Sequence, residues 1–299
     1  QIVIVHTASE PRNAILRRGR ETMSQNYKMI IQYEGTRYDG WQKQGNTENT
    51  IQGKLEKVLE RMAGFPVEVH GSGRTDAGVH AAGQVANFHL PDGWKRDMAV
   101  KNESVAGGKQ HGNLESAGKN KTVSEWIRAY LNQYLPDDIA ITELTPVPER
   151  FHSRLSAVKK IYTYRIETGE KRDVFSRRIC YGLGQALDVK KMQTAADLLC
   201  GTHDYKSFCG NKKMKKSTVR TIFRITVEQD AGSGLVKLEF EGNGFLQNMV
   251  RILTGTLIEV GLGKRDAGSM PEILAALDRQ AAGYTASAEG LCLQQVFYQ

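Results

Sequence analysis

Gly71-Ser-Gly-Arg-Thr-Asp-Ala-Gly-Val-His-Ala81 is the segment on which the fold and function of this chain turn. Glycine stands at positions 71, 73 and 78, which predicts a tight loop that lets other backbone approach closely. A polar triplet, Arg74-Thr75-Asp76, is set inside it. Two kinds of phosphate-binding loop are excluded by spacing, because G-x-G-x-x-G is absent and no Gly-Lys-Ser/Thr ending follows. A structural turn with Asp76 as an Asx cap is the plain alternative, and the loop residues alone leave it open.

Outward from the loop, Pro66–His70 predicts a short strand before it and Gln84–Leu90 a strand after it. Further upstream, Lys28–Tyr33 predicts a strand, followed by the glycine-punctuated loop Gly35–Trp41. Thr50–Ala63 predicts a helix, with Ile51, Leu55, Leu59 and Met62 on one face and Gly64 placed to end it. Residues 91–121 turn rich in Gly, Lys, Asn and Ser and lose apolar periodicity, the mark of a flexible surface insertion. Order resumes at the capping box Thr122–Glu125, which opens a helix with Trp126, Ile127, Tyr130, Leu131 and Tyr134 on its apolar face. Ile139–Leu144 predicts a strand. Lys160–Ile166 alternates strictly, which puts Tyr162 and Tyr164 on one face of a strand. Beyond it the pattern predicts a helix over Asp188–Cys200 and a hairpin of Val219–Glu228 with Leu235–Glu241. Helices over Phe245–Val260 and Pro271–Gln280 and a last strand, Leu291–Tyr298, follow.

This element order predicts an α+β protein built of two ferredoxin-like (RRM-like) halves that share one mainly antiparallel sheet. Residues 1–26 are expected to be a disordered or upstream leader, with Met23 as the native start. Residues 27–150 would form the N-terminal half, carrying the Gly71–Ala81 loop and the 91–121 insertion, and residues 151–299 the C-terminal half.

The 299 residues include 41 Lys and Arg against 33 Asp and Glu, a net charge of +8 that points to polyanionic partners, nucleic acid first. Cys180, Cys200, Cys209 and Cys292 form no CxxC pair, which argues against a zinc ribbon or a thioredoxin-type site and suits reduced thiols in a cytoplasmic protein. No apolar run has the length of a membrane span. The HxE and PCxxC pattern of a zinc deaminase is missing. Lys206, Lys212, Lys213, Lys215, Lys216 and Arg220 make a basic stretch that fits either a solvated face or phosphate contact.

Gly73-Arg-Thr-Asp-Ala-Gly-Val-His80 resembles the signature of the TruA-type tRNA pseudouridine synthases. Phe151-His-Ser-Arg154, with Ala157, Lys160, Tyr162 and Tyr164, resembles the family's second motif. Gly201-Thr-His-Asp-Tyr-Lys-Ser-Phe208 resembles the third and Gly242-Asn-Gly-Phe-Leu-Gln-Asn-Met-Val-Arg251 the fourth. Tyr33–Gln42 and Gly290–Tyr298 are similar to the family's ends. The resemblance covers residues 27–299 apart from the insertion. It departs at Thr285-Ala-Ser-Ala288, where the family usually has a proline after the first alanine, a difference confined to the local loop geometry.

The resemblance implies the pseudouridine synthase fold and the conversion of uridine to pseudouridine at tRNA positions 38 to 40, in the anticodon stem-loop. A glycosidic C–N bond breaks, the uracil turns and a C–C bond forms, with no redox change and no net hydrolysis. No metal, nucleotide or flavin is therefore needed, and the implied assembly is a cytoplasmic homodimer with one tRNA reaching across both subunits. By the same resemblance Asp76 is the nucleophile, attacking either C6 of uracil or the ribose. Arg251 would be the cation that favours the ionised carboxylate, on a helical face shared with Asn248 and Gly255. Tyr162 would stack on the uracil and take or relay the C5 proton. Arg74 would hold the RNA backbone or the space left by the displaced nucleotide, and Lys160, Arg220 and Asn248 would contact the substrate. His80 and His203 are expected to shape loops rather than act as bases, and Asp204 to be structural. An RNA-binding protein without activity would have lost the catalytic residues, yet Arg74, Asp76, Tyr162 and Arg251 are all present; the rival that stays open is a synthase with a different RNA target.

Overall fold

In the computed structural model, which describes residues 24–91, 94, 122–170 and 173–299, the predicted periods assemble into one sheet flanked by helices. In chain order the elements are β1 (Ser24–Tyr33), α1 (Ile51–Ala63), β2 (His70–Gly71), β3 (His80–Pro91), α2 (Val123–Tyr134), β4 (Ile139–Val147) and β5 (Ala157–Glu167). Then come β6 (Tyr181–Gly182), α3 (Val189–Leu198), β7 (Gly201–Asp204), β8 (Val219–Gln229), β9 (Leu235–Gly242), α4 (Met249–Gly261), α5 (Met270–Ala276) and β10 (Leu291–Tyr298). The sheet order is β4-β1-β3-β10-β5-β9-β8-β7, with β2 on β3 and β6 on β5. Pairing is antiparallel except for β3 with β10 and β5 with β6. The α+β class and the mainly antiparallel sheet expected from the sequence are what the fold has. No helix among the described residues is long and apolar enough to cross a membrane.

The helix termini follow from local chemistry. The Thr50 hydroxyl accepts the Gly53 N–H at the start of α1, and Gly64, at φ 82°, ends it. Thr122 and Glu125 form the reciprocal capping box at α2. Ile51, Leu55, Leu59 and Met62 are all buried, each removing apolar surface worth about 1.5–3 kcal/mol. Helix α2 packs on β4, while α3 packs on β8 and α4.

Several bounds differ from expectation, each for a physical reason. Strand β1 begins at Ser24, so the last three residues of the expected leader are strand. Buried Asn26 pins them by donating to the carbonyls of Pro148, Glu149 and Phe151. The rest of the leader, and the 91–121 insertion apart from Pro91 and Trp94, lie outside the described residues. Pro66–Val69 is not strand. The Val69 N–H donates to Glu56 at 3.2 Å and its carbonyl accepts from Gln52 at 3.0 Å, so side chains of α1 replace a strand neighbour. Helix α4 starts at Met249, not Phe245, because Asn248 adopts a left-handed conformation at φ 57°. Helix α5 stops before Leu277, at φ 51°, short of the expected Gln280.

Residues 283–286 run against α4. The Gly283 N–H donates to Thr256 Oγ1 at 2.9 Å and the Ala286 N–H to the Arg251 carbonyl at 3.0 Å. A Cβ on Gly255 would stand 1.9 Å from the Tyr284 carbonyl oxygen. Gly255→Ala is therefore expected to destabilise the fold by about 1–3 kcal/mol, read as a lower urea midpoint. An unchanged midpoint would mean that residues 283–286 are not held against the helix.

Candidate active site

The Gly71–Ala81 loop is fixed from both ends. The Ser72 N–H donates to the Val85 carbonyl at 2.7 Å, and its hydroxyl donates to Gln84 at 2.6 Å. Buried Thr75 shares a hydrogen bond with the Tyr33 hydroxyl at 2.8 Å, and its carbonyl accepts the Trp41 N–H at 3.0 Å. Gly71 lies flat on the Trp41 indole, where a Cβ would come within 2.5 Å of the ring. A loop this constrained presents Asp76 in one place.

The Asp76 carboxylate accepts no hydrogen bond from the loop backbone among the described residues, so it is not an Asx cap. Its neighbour is Arg251, with Nη1 3.7 Å from Oδ2. The guanidinium is itself oriented, since Nε donates to the Ala286 carbonyl at 2.7 Å and Nη1 to Asn248 Oδ1 at 3.2 Å. The left-handed backbone of Asn248 is what aims its amide at Arg251, one turn into α4. Burial pushes the Asp76 carboxyl above its ordinary value, and the charge and hydrogen bonding of Arg251 pull it back part of the way. A carboxylate made more basic, yet stabilised in its ionised form by one cation, is a stronger nucleophile than a solvated one.

Tyr162 is 8% exposed and sits edge-on to Phe245, ring centroids 5.2 Å apart. Burial raises its phenol well above the ordinary value, so it keeps its proton at neutral pH. Tyr164, two residues on, is fully buried, and its hydroxyl donates to the Ser287 carbonyl at 2.7 Å. One tyrosine of the alternating pair thus faces the site while the other ties down the 283–288 segment. The same bond and those of Gly283 and Ala286 set the local geometry where the sequence lacks the family's usual proline.

Asp76, Arg74, Tyr162, Arg251, Lys160, Arg220 and Asn248 line one cleft of about 850 Å³. Arg74 is exposed, its Nε donating to Gln42 at 3.0 Å. Lys160 Nζ donates to the Ser72 carbonyl at 2.7 Å. Burial, then the charge of Arg154, depress it to about 8. His80 and His203 stay outside the cleft. His80 accepts the Gly35 N–H on Nδ1 at 3.0 Å, which leaves Nε2 to donate to the Glu289 carbonyl at 3.1 Å. His203 Nε2 meets the Cys200 carbonyl at 2.9 Å. Asp204 accepts from the Lys206 N–H and the Thr218 hydroxyl. Of the basic stretch, Arg220 reaches the cleft, while Lys206, Lys212, Lys215 and Lys216 line a neighbouring recess of about 640 Å³. Gln42, Arg154 and Phe245 are cleft residues to which the sequence assigned no role. Phe245 was hidden by its expected place in a helix, and Gln42 and Arg154 carry no signal beyond their place in motifs.

A cleft with one arginine-held carboxylate and a stacking tyrosine suits nucleophilic work on a flat ring. Comparison with known proteins defines the class. The family model for tRNA pseudouridine synthase matches residues 29–155 and 195–299. The chain is 42% identical over 271 residues to tRNA pseudouridine synthase A 2 of a Bacillus cereus strain, covering 91% of this chain and 98% of that one. It is 43% identical over 273 residues to tRNA pseudouridine synthase A of a Bacillus species, covering 91% and 99%. With tRNA pseudouridine synthase A of Acetivibrio thermocellus the identity is 39% over 273 residues, with the same coverage. The chain belongs to the tRNA pseudouridine synthase family, whose members are isomerases.

Proposed function

We propose that this enzyme isomerises uridine to pseudouridine at positions 38 to 40 of the tRNA anticodon stem-loop, with Asp76 as nucleophile and without a cofactor. The observation that carries the proposal is the Asp76–Arg251 pair, set on a rigid loop in a cleft walled by Tyr162. The relatives' names supply tRNA as substrate. In the reaction the Asp76 carboxylate adds to C6 of the uracil or to the ribose, and the glycosidic C–N bond breaks. The freed uracil turns, C5 bonds to the ribose, the C5 proton passes to solvent by way of the Tyr162 hydroxyl, which accepts it and releases its own, and the carboxylate is regenerated. Nothing is oxidised or reduced. Neutral Tyr162 stacks on the base. Arg74, exposed beside Asp76, holds the RNA backbone or fills the gap left when the uridine leaves its stack, a step that costs a few kcal/mol. The working form is a cytoplasmic homodimer that shares each tRNA between subunits.

The ferredoxin-like duplication belongs to the same proposal, and strand order supports it. β1, β2, β3 and β4 run in the order fourth, first, third, second, and β5, β8, β9 and β10 repeat it. Helices stand in matching places in the two runs.

The test is tritium release from tRNA transcripts carrying 5-tritiated uridine, since forming the new C–C bond expels the C5 hydrogen. Release is expected, and it should vanish when uridines 38 to 40 are replaced by cytidine. Release that survives the replacement would assign the enzyme a different target uridine. Absence of release from every tRNA would overturn the proposal.

A further inference from the structure

Arg74 is anchored at one point. Its Nε donates to Gln42 Oε1 at 3.0 Å, and among the described residues neither Nη group donates to protein. A glutamine amide can be turned end for end with little change of shape, so the oxygen that faces Arg74 needs a cause. The cause lies behind it, on α1. Gln42 Nε2 donates to Gln52 Oε1 at 2.7 Å, and the same oxygen accepts the Lys43 N–H at 2.9 Å. Gln52 Nε2 in turn donates to Glu56 Oε1 at 3.0 Å and to the Val69 carbonyl at 3.0 Å. Gln52 and Glu56 stand four residues apart on α1 and share a face. Glu56 ends the chain. Its Oε1 also accepts the Val69 N–H at 3.2 Å, and its Oε2 pairs with Lys43 Nζ at 3.2 Å. A carboxylate accepts and has nothing to donate. Turning Gln52 would set its oxygen against the Glu56 carboxylate and the Val69 carbonyl. Turning Gln42 would set oxygen against oxygen at Gln52 and N–H against N–H at Arg74. The direction of every bond from Glu56 to Arg74 is therefore fixed by the one group that cannot reverse. Gln52 is buried and the Glu56 side chain is largely so, which keeps water from replacing either partner.

We propose that Glu56, acting through Gln52 and Gln42, is a positioning residue for Arg74. Gln42 lines the cleft, while Gln52 and Glu56 lie behind it. The task of Arg74 rests on the function proposed above, in which it meets the RNA where the target uridine leaves its stack. An unanchored arginine would lose its rotamer freedom at that moment, against the reaction. The relay removes that freedom when the enzyme folds. Held by Nε, the guanidinium keeps both Nη groups for a phosphate or a base, so the cation is preorganised by an acid that does not itself touch RNA.

The experiment compares Gln42→Leu, Glu56→Gln and Arg74→Met, singly and in pairs. Tritium release from tRNA gives kcat and KM, and nuclear magnetic resonance of the free enzyme follows the Arg74 Nε–H, identified as the signal that Arg74→Met lacks. Gln42→Leu keeps the bulk and removes the acceptor. Glu56→Gln keeps the shape and gives the chain an end that can reverse. Gln42→Leu should lower kcat/KM about tenfold and Glu56→Gln about threefold. Both should divide the loss between kcat and KM as Arg74→Met does. Added to Arg74→Met, neither should cost more than about a further twofold, whereas damage to the fold would persist in that background. Solvent exchange of the Arg74 Nε–H should quicken in both variants. Wild-type kcat/KM in Gln42→Leu, losses that multiply with that of Arg74→Met, or an exchange rate that Glu56→Gln leaves unchanged would each overturn the relay, while tritium release from wild type still upholds the function. Absence of release from wild type overturns the function and with it the task given to Arg74.

Discussion

Asp76→Ala is expected to lose tritium release by more than about a thousandfold while binding tRNA as wild type does. The carboxylate is half-buried, carries no loop hydrogen bond and points at Arg251, so its removal leaves the loop intact. Ser72, Thr75 and Trp41 would still fix the backbone. Asp76→Asn is the sharper form of the same experiment, because the amide keeps size and polarity and lacks only the charge that attacks. An asparagine variant with a tenth or more of wild-type activity would show that Asp76 positions the base without bonding to it. Loss of tRNA binding along with activity would move the role of Asp76 from chemistry to recognition.

Arg251→Leu is expected to be the next most damaging change, on the order of a hundredfold in kcat/KM at neutral pH, and its signature is the pH profile. Ionised Asp76 is the reactive form. Burial raises its pKa, and Arg251 opposes the rise. Without the guanidinium the pKa climbs further, so the acid limb of kcat/KM moves to higher pH and the loss is larger at pH 6 than at pH 8. Arg251→Lys keeps the charge but gives up the two bonds to Ala286 and Asn248, and should shift the limb less. An acid limb that stays in place in Arg251→Leu would mean that the limb belongs to another group.

How much of this was legible in the sequence depended on the range of the forces involved. Helices α1 and α2 were readable because cap, apolar face and stop signal lie within one short window, and Thr50, Gly64 and the Thr122–Glu125 box behave as local chemistry requires. Strand β10 was readable from its own residues. Val67 and Val69 misled, since buried valines bounded by turn residues look like strand when their backbone partners, Gln52 and Glu56, are side chains of a helix. Phe245–Asn248 misled in the opposite direction. The apolar spacing continues that of α4, and nothing local announces that Asn248 turns left-handed to serve Arg251. Within the cleft, motif resemblance located the residues that lie in the signature segments. It could not weigh Gln42, whose amide oxygen meets Arg74 only once the fold brings the two loops together.

The place of β10 in the sheet has a consequence for how the enzyme is made. β3 and β5 do not pair with each other, and β10 lies between them as the strand that joins the two. It begins at Leu291, long after β5 ends at Glu167. During synthesis both flanking strand sets leave the ribosome with an open edge facing a gap, and until β10 enters, the loop bearing Asp76 and the strand bearing Tyr162 have side-chain bonds such as Lys160 to the Ser72 carbonyl between them but no continuous sheet. Such distant pairing is slow to form, and open edges invite wrong partners while they wait. Activity should therefore arrive in one late step of maturation, and a nascent chain stalled before Leu291 should be inert however complete its catalytic residues are.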